Sequence, residues 1–187
     1  MSMPTEADQV DVSHHSVAFE RMAEAAFLSD LLQEMWFVRR EVIDVLHSTV
    51  DAFGYDLVLW NRGVTRHVQL KTRSKTARTA SYNLATQLRD LPAACVVVIE
   101  WERLDDANRA ELTYRWFGGG PHERIPELGD TVARHTKANS LGVKGLREGL
   151  RSVPLGRFHK VASMSELSER IFGPPSWLAS VALADTF

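Results

Sequence analysis

Apolar positions follow a helical rhythm near the start of the chain and a strand rhythm after it. Val17, Ala23 or Met22, Phe27, Leu28, Leu31, Leu32 and Met35 form one stripe, which predicts a helix ending near Trp36. Ser13 or Ser16 can cap it. Phe37 to about Leu46 is rich in Val, Ile, Leu and Phe and predicts a strand with an interruption, followed by a loop from Ser48 to Gly54. Asp56–Trp60 and Thr65–Thr72 are extended runs joined by a short Asn-Arg-Gly turn, the pattern of a hairpin. Ala94–Trp101 holds the unbroken run Val96-Val97-Val98-Ile99 and predicts a central strand covered on both faces. Glu111–Phe117 reads as a further strand, closed by Gly118-Gly119-Gly120-Pro121. That glycine run lacks the lysine and hydroxyl of a phosphate-cradling loop, so it is read as a turn.

The remaining segments are less regular. Lys71–Ser81 is too polar and basic for a core and reads as a loop or a strand extension over a binding surface. Tyr82–Leu91 predicts a short helix with Leu84, Leu88 and Leu91 inward, ended by Pro92. Residues from Pro126 to Gly156 are irregular, with helical turns expected at Leu128–Thr136 and Val143–Arg151. A final helix is expected at Ser165–Phe172, capped by Ser165 and stopped by Gly173-Pro174-Pro175. The organisation expected is a flexible segment over 1–12, one domain over 13–175 and an apolar tail over 176–187. The fold class is α/β, one mixed sheet with helices on its faces.

Composition narrows the function classes. A chain of 187 residues, 44% apolar, suffices for one domain with a real core. The single cysteine, Cys95, excludes an intramolecular disulfide and fits a reducing compartment. No apolar run approaches the length of a membrane span, and the N-terminus is polar, so a cytoplasmic protein without membrane partners is expected. The histidines and the cysteine show no zinc spacing. Trp36, Trp60, Trp101 and Trp116 lie on or beside strands and are expected in the core.

Net charge is only −2, but it is unevenly distributed. Asn61–Arg89 carries seven Lys or Arg and no acid, and Arg134–Lys160 carries seven against Glu148 alone. Such blocks are either the footprint of a polyanion or a solvated basic face. On the first reading, Arg73, Lys75, Arg78, His135, Lys137, Lys144, Arg147 and Arg151 are the nucleic-acid-binding candidates.

Side chains alternate along a strand, so Gln69 and Lys71 project from one face and can meet Asp56 at the end of the hairpin. Phosphodiester hydrolysis needs an activated water and neutralised phosphate oxygens. Asp56 offers a carboxylate and Gln69 a carbonyl oxygen to a hard cation such as Mg²⁺, with Mn²⁺ as a substitute. Lys71 has no lone pair to give while charged. Its part is to orient or deprotonate the water or to offset charge. Glu24, or failing it Glu20, can approach the same point from the first helix.

Glu24 in a first helix, Asp56 after Gly54-Tyr55 and Gln69-Leu70-Lys71 on the next strand together resemble the PD-(D/E)xK nuclease superfamily, in particular its Holliday junction resolvase-like and restriction-endonuclease-like branch with glutamine in the third motif. The likeness covers roughly residues 17–101. It implies a central mixed sheet of four to five strands flanked by helices, with Glu24, Asp56, Gln69 and Lys71 as catalytic residues. Glu24, Asp56 and Gln69 would be the metal ligands, and the activity would be magnesium-dependent cleavage of DNA by a monomer or homodimer. The alternative is a nuclease-fold module that binds DNA or protein without cutting.

Overall fold

A computed structural model describes residues 15–50, 52–104, 109–135 and 145–177, and the statements below concern these. Helix α1 (Ser16–Gln33) runs into a π-helical turn at Glu34–Arg39. Strands β1 (Asp44–His47), β2 (Leu57–Asn61), β3 (Val64–Ser74) and β4 (Ser81–Ala85) follow, then a 3₁₀ turn at Thr86–Arg89. After it come β5 (Ala94–Leu104), β6 (Arg109–Gly118), β7 (Val132–Arg134), β8 (Leu146–Pro154), β9 (His159–Val161) and helix α2 (Met164–Phe172).

Six strands form one mixed sheet in the order β1-β2-β3-β5-β6-β9, in which only β3 and β5 run parallel. β4, β8 and β7 form a separate antiparallel sheet. The α/β class holds, and the main sheet is larger than the four to five strands expected. Two apolar clusters lie on its two faces. Phe27 and Leu31 of α1 and Ile171 of α2 pack with Val68, Val97 and Ile99 on one face. Leu84, Leu88, Val153 and Phe158 pack with Val96, Val98 and Phe117 on the other. β5 therefore sends alternate side chains into both clusters, which is why its sequence is an unbroken apolar run. Burial holds Cys95 as a thiol, with its pKa pushed up to about 11.

Several expectations fail for identifiable reasons. The segment expected as a helix over Tyr82–Leu91 is β4 followed by a 3₁₀ turn. Tyr82 and Leu84 are buried while Asn83 between them is exposed, a period of two that the leucine spacing concealed. The helical turns expected at Leu128–Thr136 and Val143–Arg151 are replaced by β7 and β8, because β8 pairs with β4 across a long sequence separation. Where a strand was expected from Phe37, the chain continues as the π turn and strand structure is confined to Asp44–His47. Arg39 fixes that turn, buried and donating to Ser168 Oγ and the Gly173 carbonyl, with the Glu41 carboxylate 3.4 Å away.

Helix α2 is capped by Ser163, whose Oγ accepts the Glu166 amide, whereas Ser165 donates to Glu34 at 2.8 Å. The α1 stripe narrows to Ala23, Phe27 and Leu31, continued by Met35, and Val17, Met22 and Leu32 are exposed. Trp36 and Trp60 are also exposed, unlike Trp116. Among the described residues no helix is long and apolar enough to cross a membrane.

One member of the first basic block is not a surface residue at all. Arg66 is fully buried, its guanidinium 5.0 Å from the Trp116 ring centroid, and it donates to the carbonyls of Gly119 and Gly120 at 3.0 and 2.6 Å. The glycine run is thus a turn whose carbonyl oxygens serve a buried cation, the arrangement a desolvated guanidinium requires.

Candidate metal and nucleic acid site

The β2–β3 hairpin turns on Arg62 and Gly63, both in the left-handed region. From there the strands pair as far as Leu57 opposite Val68. Asp56 lies one residue beyond. Its amide donates to the Val68 carbonyl at 2.9 Å, and its own carbonyl accepts from Ser48. Its carboxylate Oδ2 accepts the Leu70 amide at 2.6 Å, a short charge-assisted bond that locks the acid against β3. β3 is in turn held by its parallel partner, with Gln69 opposite Val96 and Lys71 opposite Val98.

A cleft of about 360 Å³ opens between this end of the sheet and α1. Asp56, Lys71, Glu20 and Glu24 all line it, with Ser48, Leu70 and Thr72. Three of the four residues singled out from sequence therefore share one cavity. Lys71 is half-buried and has no hydrogen bond or ion pair among the described residues.

Gln69 does not line that cavity. It is buried under the loop that carries Gly54, where an added Cβ would lie 3.7 Å from Gln69 Nε2 and 2.5 Å from the Ala85 side chain. Its carbonyl oxygen Oε1 is buried with no hydrogen-bond partner. A buried acceptor left unmade costs about 1–3 kcal/mol, and a cation or water at that oxygen would remove the cost.

Glu24 is engaged within the protein. Its carboxylate oxygens lie 3.0 Å from His47 Nε2 and 3.2 Å from Arg21 Nη1. His47 was not picked out from sequence. The alternation along Asp44–His47 is the signal, because it turns His47 toward α1. Among the described residues no three of His, Cys, Asp and Glu form a group able to hold a metal ion. The oxygen-bearing side chains that line the cleft include the Asp56 and Glu24 carboxylates, and the Gln69 amide lies outside it. That set suits a cation such as Mg²⁺, which keeps most of its waters and takes few protein ligands.

The other basic candidates separate into distinct places. The Arg73 guanidinium turns inward, donating to the carbonyls of Ser74, Lys75 and Ala77 and standing 3.5 Å from Glu100. Lys75 Nζ pairs with Glu111 at 2.9 Å and Glu102 at 3.3 Å, and the hydrogen bond it donates to Glu111 raises its pKa. Arg78 is exposed. His135 and Arg147 meet in another cleft, of about 480 Å³, beside Gly54, Ala85 and Glu148. Arg151 bonds the carbonyls of Glu148 and Leu150. Lys137 and Lys144 lie outside the described residues.

Comparison with protein-family models, curated proteins and solved structures gives no match to this chain. The functional reading accordingly rests on the geometry and on the motif resemblance.

Proposed function

We propose that the cleft between α1 and the open end of the β2–β3 hairpin hydrolyses phosphodiester bonds in DNA with the help of a divalent cation, Mg²⁺ or Mn²⁺, on a restriction-endonuclease-like core. The observation that carries this reading is the meeting of Asp56, Lys71 and Glu24 in one cavity, with the Asp56 carboxylate pinned by the Leu70 amide. The bound cation would supply charge neutralisation at the scissile phosphate and a more acidic water. Asp56 and Gln69 would hold the cation, joined by Glu24 once it is released from His47 or Arg21. Lys71, with no described partner competing for its ammonium, orients the attacking water or offsets the charge that develops on the phosphate oxygens.

The test is cleavage of linear, nicked and branched DNA with Mg²⁺, Mn²⁺ or EDTA. Metal-dependent cutting by the native chain, abolished in Lys71→Ala while DNA binding persists, supports the reading. Tight, salt-sensitive DNA binding with no cutting in any metal overturns it.

A second reading is favoured by a specific observation. Glu24 is already paired with His47 and Arg21, and glutamine occupies the place where a further acid would strengthen the site. On that reading the protein is a nuclease-fold module that holds DNA or a protein without cutting it, and the same assay returns binding alone.

A further inference from the structure

The sheet face that bears Lys71 also carries a second cleft, of about 380 Å³, lined by Arg73, Glu100, Thr113, Arg115 and Lys160. Strand register makes its layout explicit. Lys71 is opposite Val98, Val98 opposite Arg115, and Arg115 opposite Lys160, so these form one row across β3, β5, β6 and β9. Paired residues in register project from the same face. Arg73, Glu100 and Thr113 form the adjacent row.

The charges in this cleft do not balance. Glu100 Oε1 accepts from Arg115 Nε at 2.8 Å and lies 3.5 Å from Arg73 Nη1, so one carboxylate serves two guanidiniums. The three side chains are only 9–14% exposed. Lys160 stands at the rim with no partner among the described residues, and the two terminal nitrogens of Arg115 make no hydrogen bond there. Arg73 Nη1 is buried and likewise without a hydrogen bond. Lys75 adds nothing to the excess, because Glu102 and Glu111 offset it. Nearly buried cations in excess of their carboxylates are costly unless an anion completes the set. A forked guanidinium beside an ammonium suits a phosphate oxyanion in both charge and shape.

We infer that this cleft binds a backbone phosphate of DNA, at a place separate from the Asp56–Lys71 cleft. Arg115 and Lys160 are the donors, and Arg73 and Glu100 are positioning residues that hold the Arg115 guanidinium. Val98, which separates Lys71 from Arg115 in that row, is fully buried under Leu84 and Leu88, so the two clefts are distinct surfaces. The inference rests on the nuclease reading for the identity of its ligand.

The experiment measures the affinity of a fluorescein-labelled DNA oligonucleotide by anisotropy across a salt series in EDTA, for the native chain, Arg115→Gln and Lys160→Gln. Each substitution is expected to weaken binding about tenfold and to lower the salt slope by about one. Lys160 is exposed, so Lys160→Gln keeps the test valid if Arg115→Gln fails to fold by circular dichroism. Unchanged affinity and slope in Lys160→Gln overturns the inference, as does a native chain that does not bind DNA. Displacement of the DNA by micromolar inorganic phosphate also overturns it, marking a small-anion site instead. A protein that cuts DNA but ignores both substitutions keeps the nuclease reading and loses this one. A protein that never cuts but binds DNA through both residues does the reverse.

Discussion

The Leu70 amide donates to Asp56 Oδ2 at 2.6 Å, so the candidate catalytic acid also closes the hydrogen-bond ladder where β2 and β3 part. Replacing Asp56 separates these two tasks. Asp56→Asn retains an oxygen for the Leu70 amide, and its unfolding midpoint in urea is expected to stay near that of the native chain while DNA cleavage is lost. Asp56→Ala leaves that amide without its acceptor and is expected to cost a further ~1–2 kcal/mol in the same titration.

Lys71 contrasts with Asp56 because nothing among the described residues holds its ammonium. Lys71→Ala is expected to change stability by no more than about 0.5 kcal/mol, as for a surface change away from special contacts. Cleavage is expected to fall by about 10²-fold or more, the usual contribution of a positioned acid–base group. Thermal denaturation and single-turnover cleavage on the same preparation check both halves.

Gly54, in the loop before β2, lies against Ala85 of β4. It has φ +78, and a Cβ there would meet the Ala85 side chain at 2.5 Å. Gly54→Ala is therefore expected to destabilise by more than about 1 kcal/mol. Adding Ala85→Gly should return only the part due to the clash, leaving the backbone strain. A double-mutant cycle measures the coupling.

The pH dependence has one strong local source. The Ala162 amide and the Arg170 side chain, joined by His159, hold the Glu166 carboxyl down to about 2. Its pKa is depressed in the folded state, so its contribution is complete above the unfolded value near 4.5 and is lost as pH falls toward 2. Stability should decline through that window, and Glu166→Gln should flatten the decline. Urea midpoints at successive pH values below 5 read this out.

The parts of this fold legible in the sequence are those that a local period specifies. The β2–β3 hairpin and β5 appear because their apolar positions match the faces they bury, and α2 because Leu167 and Ile171 sit one turn apart. β4, β7 and β8 were not legible. β4 is short and leucine-spaced, and β7 and β8 are polar and glycine-punctuated strands that exist through pairing with distant partners. The site divides in the same way. Asp56 and Lys71 were visible from alternation along a hairpin, whereas the pairing of Glu24 with His47 depends on how α1 is laid across β1. Arg115 and Lys160 fall in row with Lys71 only once three strand registers are known.

The parallel pairing of β3 with β5 bears on how the chain folds. Parallel neighbours are usually bridged by a helix packed on the sheet, but here the bridge contains β4, which belongs to the second sheet. Among the described residues the strand neighbour of β4 is β8, which comes much later in the chain. The connection between β3 and β5 is therefore complete only where β4 meets β8. The element that follows the candidate catalytic strand is thus held by a contact of long sequence separation, the kind that slows folding.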